Sequence, residues 1–345
     1  MEHTAGKPDL RSFTYEELEA FLIEMGEKRF RAGQVFAWLS KGARSFDEMT
    51  NLSKPLREKL AQTSMLSRAH IAQKYVSKID GTVKYLIGFD DGECVETVVM
   101  RYHHGVTVCI SSQVGCAMGC GFCASTIGGK KRDLLAGEIL LQVILAQDDI
   151  GERISNIVMM GIGEPLDNFE NVRRFLINVN DARGLNIGYR HISLSTCGLV
   201  DGIDRLAQMD IPITLSISRH APNDEIRGRT MPVNRRYPIR ELLAACRRYQ
   251  AVTTRRISFE YAMIDGVNDS AADAAELARL LKGILCHVNL IPVNTVAERS
   301  YRRSSTAALK RFISVLEEAG IPATVRRTLG ADISASCGQL RQKRL

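Results

Sequence analysis

The sequence predicts an α/β chain: an open, partial (β/α)6 barrel, preceded by a small helical module and a short β-meander. Three observations carry this. Apolar, β-rich runs lie at 106–111, 154–160, 190–196, 212–218, 256–264, 287–292 and 323–328. Amphipathic helical stretches separate them, and such alternation implies a parallel sheet covered by helices; about six βα units exceed a simple three-layer half but fall short of the eight that close a barrel. The first hundred residues lack this alternation, so they are read as an accessory domain, 1–100, ahead of a barrel domain, 101–345.

The accessory domain opens with "TYEE", in which Thr14 and Glu17 make a capping box ahead of Leu18, Phe21 and Leu22. "RFRAGQVFAWLSKG" sets Phe30, Val35, Phe36 and Leu39 at helical spacing, with Gly42 as its stop. Pro55 opens "KPLREKLAQ" in the first helical turn, where a missing N–H costs nothing. "TVKYLIGF" and "CVETVVMRY" then alternate as strands about a "DDGE" turn at 90–93. In the barrel, helices are expected in "AGEILLQVILAQ", "ENVRRFLINVN", "PIRELLAACRRY", "DAAELARLLKG" and "TAALKRFISVLEEAG", the last closed by Gly320.

The 345 residues include 46 Lys and Arg against 39 Asp and Glu, a formal net charge of +7. Basic residues cluster at 130–132, 227–229, 235–236, 247–248, 255–256, 302–303 and 326–327, and in the terminal "RQKRL". Singly, each reads as a solvated face. Together they suit a polyanionic partner, without separating RNA from DNA or from a membrane surface. No run approaches the ~18 apolar residues of a membrane span. "MEHTAGKPDLRSF" lacks the pattern of a secretory leader, so a cytoplasmic location with no membrane partner is expected. Thiols stay reduced there, which makes the nine cysteines metal ligands, catalytic groups or small core residues.

The chemistry concentrates in "CISSQVGCAMGCGFCAS", residues 109–125. Cys116, Cys120 and Cys123 form C-x3-C-x2-C among Gly115, Gly119 and Gly121, just after a predicted strand. In parallel α/β domains the C-terminal ends of strands carry the functional groups. Three thiolates can hold three irons of a [4Fe–4S] cube and leave the fourth open, and glycines let the backbone wrap closely around it. A structural zinc would want a fourth Cys or His, and the loop contains no His.

With Phe122 before its last cysteine, this motif resembles that of the radical S-adenosylmethionine (SAM) superfamily. More narrowly, the chain resembles the RlmN/Cfr family of RNA adenine methyltransferases over nearly its whole length. The stretches that carry this are "VETV" at 95–98, "CISSQVGCAMGCGFCAST" from 109, "GIGEPLDN" at 161–168 and "SLSTCG" at 193–198. They continue with "HAPNDEIR" at 220–227, "MPVNRRYP" at 231–238, "VNLIPVN" at 288–294 and "CGQL" at 337–340.

The resemblance implies a radical SAM barrel with one [4Fe–4S] cluster held by Cys116, Cys120 and Cys123, and two SAM molecules per turnover. It implies SAM contacts by Gly163, Glu164, Ser195, Ser218, Arg219, His220 and Asn294, all at or just past predicted strand ends. It further implies that Cys337 takes a methyl group from one SAM by displacement. A 5′-deoxyadenosyl radical from the second then removes a hydrogen from that methyl, and the methylene radical adds to an adenine ring carbon. That carbon, between two nitrogens, is too electron-poor to attack a sulfonium itself. Cys109 would attack the Cys337 sulfur to free the product, leaving a disulfide bond for reduction, and Glu96 would be the base that takes the ring proton.

The implied partners are 23S ribosomal RNA, with transfer RNA as a second candidate, and an electron donor such as flavodoxin. "GEPLDN" and "CASTIGG" sit closer to the RlmN side, which implies carbon 2 as the target; Cfr-like methylation of carbon 8 is the alternative. A glycyl-radical activase would need neither Cys337 nor RNA-binding charge, and an electron carrier would fully ligate its cube. Cys94, Cys197, Cys246 and Cys286 read as structural. There are two departures from the family pattern. Arg219 stands where relatives usually carry leucine, so that it touches SAM or RNA or points to solvent. The chain also runs only a few residues past "CGQL", so RNA contacts by a longer basic tail are not expected.

Overall fold

A computed structural model of the protein describes residues 6–341 and 343–344, so the basic terminus "RQKRL" lies partly outside the described residues. The helical module is built as its sequence dictates. Helix α1 (Tyr15–Glu24) starts at the expected capping box: Glu17 N–H donates to Thr14 Oγ1 at 3.2 Å, and Thr14 N–H to Glu17 Oε2 at 2.8 Å. Helices α2 (Phe30–Ser40) and α3 (Lys54–Thr63) pack with it around Leu22, Val35, Phe36, Leu56 and Leu60. Arg11 is buried beneath them and donates to the carbonyls of Leu39 at 2.7 Å and Ser67 at 3.2 Å, a strut that satisfies backbone oxygens water cannot reach.

Three strands follow: β1 (Ala69–Val76), β2 (Val83–Phe89) and β3 (Glu93–Tyr102). The sequence reading missed β1, whose side chains are mostly exposed and so carry no apolar alternation. β3 turns at His103–His104 and pairs antiparallel with β4 (Gly105–Cys109). The division expected at residue 100 is therefore not where the structure divides. The meander continues the barrel sheet, and one hydrophobic core spans Val83 to Leu340, whereas Leu10 to Leu66 enclose a separate one.

Beyond β4, two short strands, β5 (Gln113–Gly115) and β6 (Lys130–Asp133), form a separate antiparallel pair that holds the cysteine loop between them. The regular alternation then begins: α4 (Ala136–Ile150), β7 (Ile154–Met159), α5 (Phe169–Asn180), β8 (Ile192–Thr196), α6 (Val200–Gln208) and β9 (Thr214–Ser218). It continues through α7 (Asp224–Thr230), α8 (Ile239–Thr253), β10 (Ile257–Met263), α9 (Ala271–Leu281), β11 (Cys286–Pro292), α10 (Thr306–Glu318) and β12 (Ala323–Val325). A short β13 (Lys343–Arg344) pairs with β3. Among the described residues the sheet has 11 strands, and β4, β7, β8, β9, β10, β11 and β12 run parallel along an open path. This is the expected partial barrel of six βα units.

The strands face two environments. On β11, buried Cys286, Val288 and Leu290 alternate with partly exposed His287, Asn289 and Ile291, so one face meets the helices and the other the lumen. The lumen is polar: Ser193 and Ser216 hydroxyls meet at 3.1 Å, and Asn289 Nδ2 donates to Glu260 at 2.7 Å. Among the described residues no helix is long and apolar enough to cross a membrane.

Candidate active site

The cysteine loop is held at both ends and from the side. Cys116 N–H donates to Gly129 O at 3.1 Å, closing the loop base, and Gly121 N–H donates to Thr230 O at 2.8 Å, tying it to the end of α7. A β-carbon on Gly121 would come within 3.2 Å of the Tyr301 ring. That glycine makes room for a neighbour closing over the loop from outside.

Cys116, Cys120 and Cys123 all line one cavity at the C-terminal ends of the barrel strands. Burial pushes the Cys116 thiol up to about 12 and raises Cys120 and Cys123 as well. Burial outweighs the nearby Arg227 at Cys120 and Arg299 at Cys123, and thiols so placed are poor thiolates until a metal supplies charge. Among the described residues no three His, Cys, Asp or Glu side chains converge on a single-ion site. Three cysteines on one cavity wall offer the three thiolates that a cube can take at separate irons while its fourth stays open.

The cavity also gathers Gly163, Glu164, Ser195, Ser218, His220, Asn294 and Cys337. Gly163 follows β7 at φ +108°, and a β-carbon there would lie 2.7 Å from Gln113 Cβ and Ser112 Oγ. Glu164 accepts from the N–H groups of Cys197 at 2.6 Å and Leu166 at 3.0 Å, while burial raises its pKa. Ser195 and Ser218, on β8 and β9, meet at 3.3 Å. His220 has φ +52°, accepts from Ala262 N–H through Nδ1 at 2.8 Å, and stands edge-on to Phe122. Burial, then the nearby Arg227, lowers its pKa to about 3, so it stays neutral.

Cys337 reaches the cavity on a loop that returns from β12. Asn294 Nδ2 donates to Cys337 O at 3.0 Å, Ala124 N–H to Gly338 O at 2.8 Å, and Ser125 Oγ to Leu340 O at 2.8 Å. The loop bearing Cys337 is thus tied directly to the loop bearing the three cysteines. Cys109, at the end of β4, is buried and does not itself line the cavity. Burial and then the charge of Cys337 push its thiol up to about 12, while Arg326 pulls the other way. No disulfide joins the two thiols in this arrangement.

Two expected residues lie elsewhere. Arg219 does not line the cavity and does not face solvent. Its side chain is fully buried and donates to Pro222 O at 2.7 Å, and burial lowers its pKa to about 10. Glu96 is also buried and off the cavity. Its Oε1 lies 3.1 Å from Lys84 Nζ, and its Oε2 accepts from Arg341 N–H at 2.7 Å, so neither oxygen is free to take a ring proton in this arrangement.

Two cavity residues escaped the sequence reading. Arg326 stands between the thiols and Glu260, its guanidinium 4.0 Å from the Glu260 carboxylate, and the charge of Cys337 raises its pKa. In the sequence it was half of an "RR" pair. Glu260 was a single charge in the strand "ISFEYAM", the one signal that could have marked it. Cys197, read as structural, lines the cavity and packs against Cys120 and Met231.

Comparison with known proteins gives the family and the fold. Residues 8–66 match the ribosomal RNA large subunit methyltransferase N-terminal domain, and residues 110–281 match the radical SAM superfamily. The chain is 57% identical over 339 residues to the probable dual-specificity RNA methyltransferase RlmN of Alkaliphilus oremlandii, covering 98% of this chain and 99% of that one. It is 54% identical over 334 residues to the protein of the same description from Clostridioides difficile, covering 97% of each. Among solved structures, a radical SAM methyltransferase from Sphaerobacter thermophilus superposes with a TM-score of 0.90 at 48% identity, covering 96% of this chain and 99% of that one.

Proposed function

This chain belongs to the RlmN family of radical SAM RNA methyltransferases, and from that premise we propose that it methylates carbon 2 of an adenine in 23S ribosomal RNA through an S-methyl group carried on Cys337. The observation that carries this reading is the single cavity shared by Cys116, Cys120, Cys123 and Cys337, with buried Cys109 close enough to feel the Cys337 charge. In this reading Cys116, Cys120 and Cys123 hold a [4Fe–4S] cluster. When bound, the cluster supplies the electron that cleaves SAM to methionine and a 5′-deoxyadenosyl radical.

The protein's own groups supply the rest. Gly163, Glu164, Ser195, Ser218, His220 and Asn294 form the SAM pocket, where neutral His220 offers a ring edge without adding charge. Cys337 takes the methyl group from one SAM by displacement at its sulfur, on the cavity wall it shares with Arg326. Cys109 attacks the Cys337 sulfur at product release; the sulfur–methylene bond breaks, the carbon leaves with the electron pair and takes a proton to become the methyl group, and the resulting disulfide is reduced afterwards. Turnover then consumes two SAM, with electrons from a flavodoxin-like donor. The dual specificity named for the relatives supports transfer RNA as a second substrate, and the helical module, with its exposed basic residues, is the part that would meet RNA.

The test is mass mapping of adenine in ribosomal and transfer RNA from cells with and without the protein, and with Cys337→Ala. Loss of 2-methyladenine in both mutant lines is expected. Loss of an 8-methyl group instead would move the target to carbon 8, and unchanged RNA would remove the activity.

A further inference from the structure

Behind the Cys337 loop lie two buried charges that the cavity does not use. Lys84 on β2 and Glu96 on β3 are 5% and 3% exposed. Glu96 pairs in register with Leu86 and Lys84 with Val98, so the two are diagonal neighbours on one sheet face, with Nζ and Oε1 3.1 Å apart. Ile87 and Val95, paired on the other face, are apolar and fully buried. A sheet face that needed only packing would do the same here. Burying two charges is costly even when they are paired, so such a pair is weak evidence for stability and better evidence for a specified arrangement.

Each partner spends a further contact on the same stretch of backbone. Lys84 Nζ donates to Ser334 O at 3.3 Å, and Glu96 Oε2 accepts from Arg341 N–H at 2.7 Å. Ser334 precedes Cys337 by three residues and Arg341 follows it by four. The ion pair therefore stands as a brace with one foot on each side of the cysteine. On the cavity side, the loop meets Asn294, Ala124 and Ser125, so it is gripped between the cysteine-loop wall and the meander.

We propose that the Lys84–Glu96 pair is a positioning device for Cys337, through which the β-meander sets where the sulfur stands in the cavity. Glu96 then also acts on the reaction through the loop it holds, ahead of any step on the base. The functional half of this inference rests on Cys337 being the methyl carrier; the structural half does not.

The test uses the anaerobically purified, cluster-bearing protein and the variants Lys84→Met, Glu96→Gln and Lys84→Met/Glu96→Gln. The double variant leaves no unpaired buried charge, so it answers the question if either single variant folds poorly. Hydrogen exchange over residues 334–341 is expected to quicken about tenfold in the double variant, while α4 is unchanged. S-methyl content at Cys337, read by mass spectrometry, should fall in Lys84→Met as it does in Glu96→Gln, because that step needs a placed thiol and no base. Unchanged exchange in the double variant would overturn the brace. So would full S-methylation in Glu96→Gln with RNA stalled on Cys337, the signature of a missing base. If exchange quickens but the unmodified protein carries no methyl on Cys337, the brace stands and the carrier role falls.

Discussion

At the scale of single residues, the two thiols of the proposed exchange differ in how they are held. Cys337 rides on a loop at the cavity, whereas Cys109 is fixed at a strand end and buried, its thiol raised from 9.0 to about 12 by burial first and Cys337 second. The thiolate is the attacking form, and below its pKa its population rises about tenfold with each unit of pH. Product release should therefore speed up as pH rises through the neutral range. The measurement is the lifetime of the RNA–Cys337 adduct in single turnover, which should shorten with pH in the unmodified protein. In Cys109→Ala the adduct should persist at every pH. A lifetime independent of pH would mean that Cys109 is not the attacking group. Arg326→Met removes the cation that opposes the rise and should lengthen the adduct's life about tenfold for each unit of pKa it had offset.

At the scale of elements, the turn after β7 is the least forgiving. Gly163 combines a left-handed φ of +108° with close approach to Gln113 and Ser112. Gly163→Ala should cost about 1–3 kcal/mol in denaturant unfolding and weaken SAM binding, since backbone strain and overpacking add. Gly121→Ala should cost less, because it meets only the edge of the Tyr301 ring at 3.2 Å. Most barrel elements were legible in the sequence because their signals are local: apolar runs for strands, capping residues and periodicity for helices. The cysteine loop was legible for the same reason. β1 was not, because both its faces are largely exposed and leave no alternation. Arg227 and Arg326 were hidden in basic pairs, yet Arg227 is fully buried and donates to Cys197 O at 2.6 Å, and Arg326 lines the cavity. Nothing local marks Lys84, and the resemblance marked Glu96 only as a base, since the backbone that both hold lies more than 240 residues away.

At the scale of the whole molecule, the charge available to RNA is smaller than the basic clusters suggest. Arg132 is committed to Glu138 at 2.7 Å and Arg248 to Asp204 at 2.6 Å, besides Arg11, Arg219 and Arg227, which are withdrawn into the interior. RNA affinity should still fall steeply with salt, as released counterions demand. The reversal of Arg229, which is exposed, should reduce that slope, whereas Arg227→Met should lower stability without changing it. A binding constant that ignored salt would assign the charge to another purpose. The helical module docks through Glu17 to Arg174 at 3.0 Å and Phe13 O to Asn178 at 2.9 Å, polar contacts between two separate cores. The Cys337 loop, by contrast, is fastened by bonds spanning 215, 245 and 255 positions of chain, at Ser125, Glu96 and Ser77. The cysteine loop on the opposite wall is closed by a bond between Cys116 and Gly129, near neighbours in sequence. Long-span contacts of a short surface segment are the first to open on warming. Heat should therefore make the enzyme wasteful before it makes it inert. Over a narrow temperature interval the ratio of 5′-deoxyadenosine released to RNA methylated should climb, while the iron absorbance and the circular dichroism of the barrel hold steady.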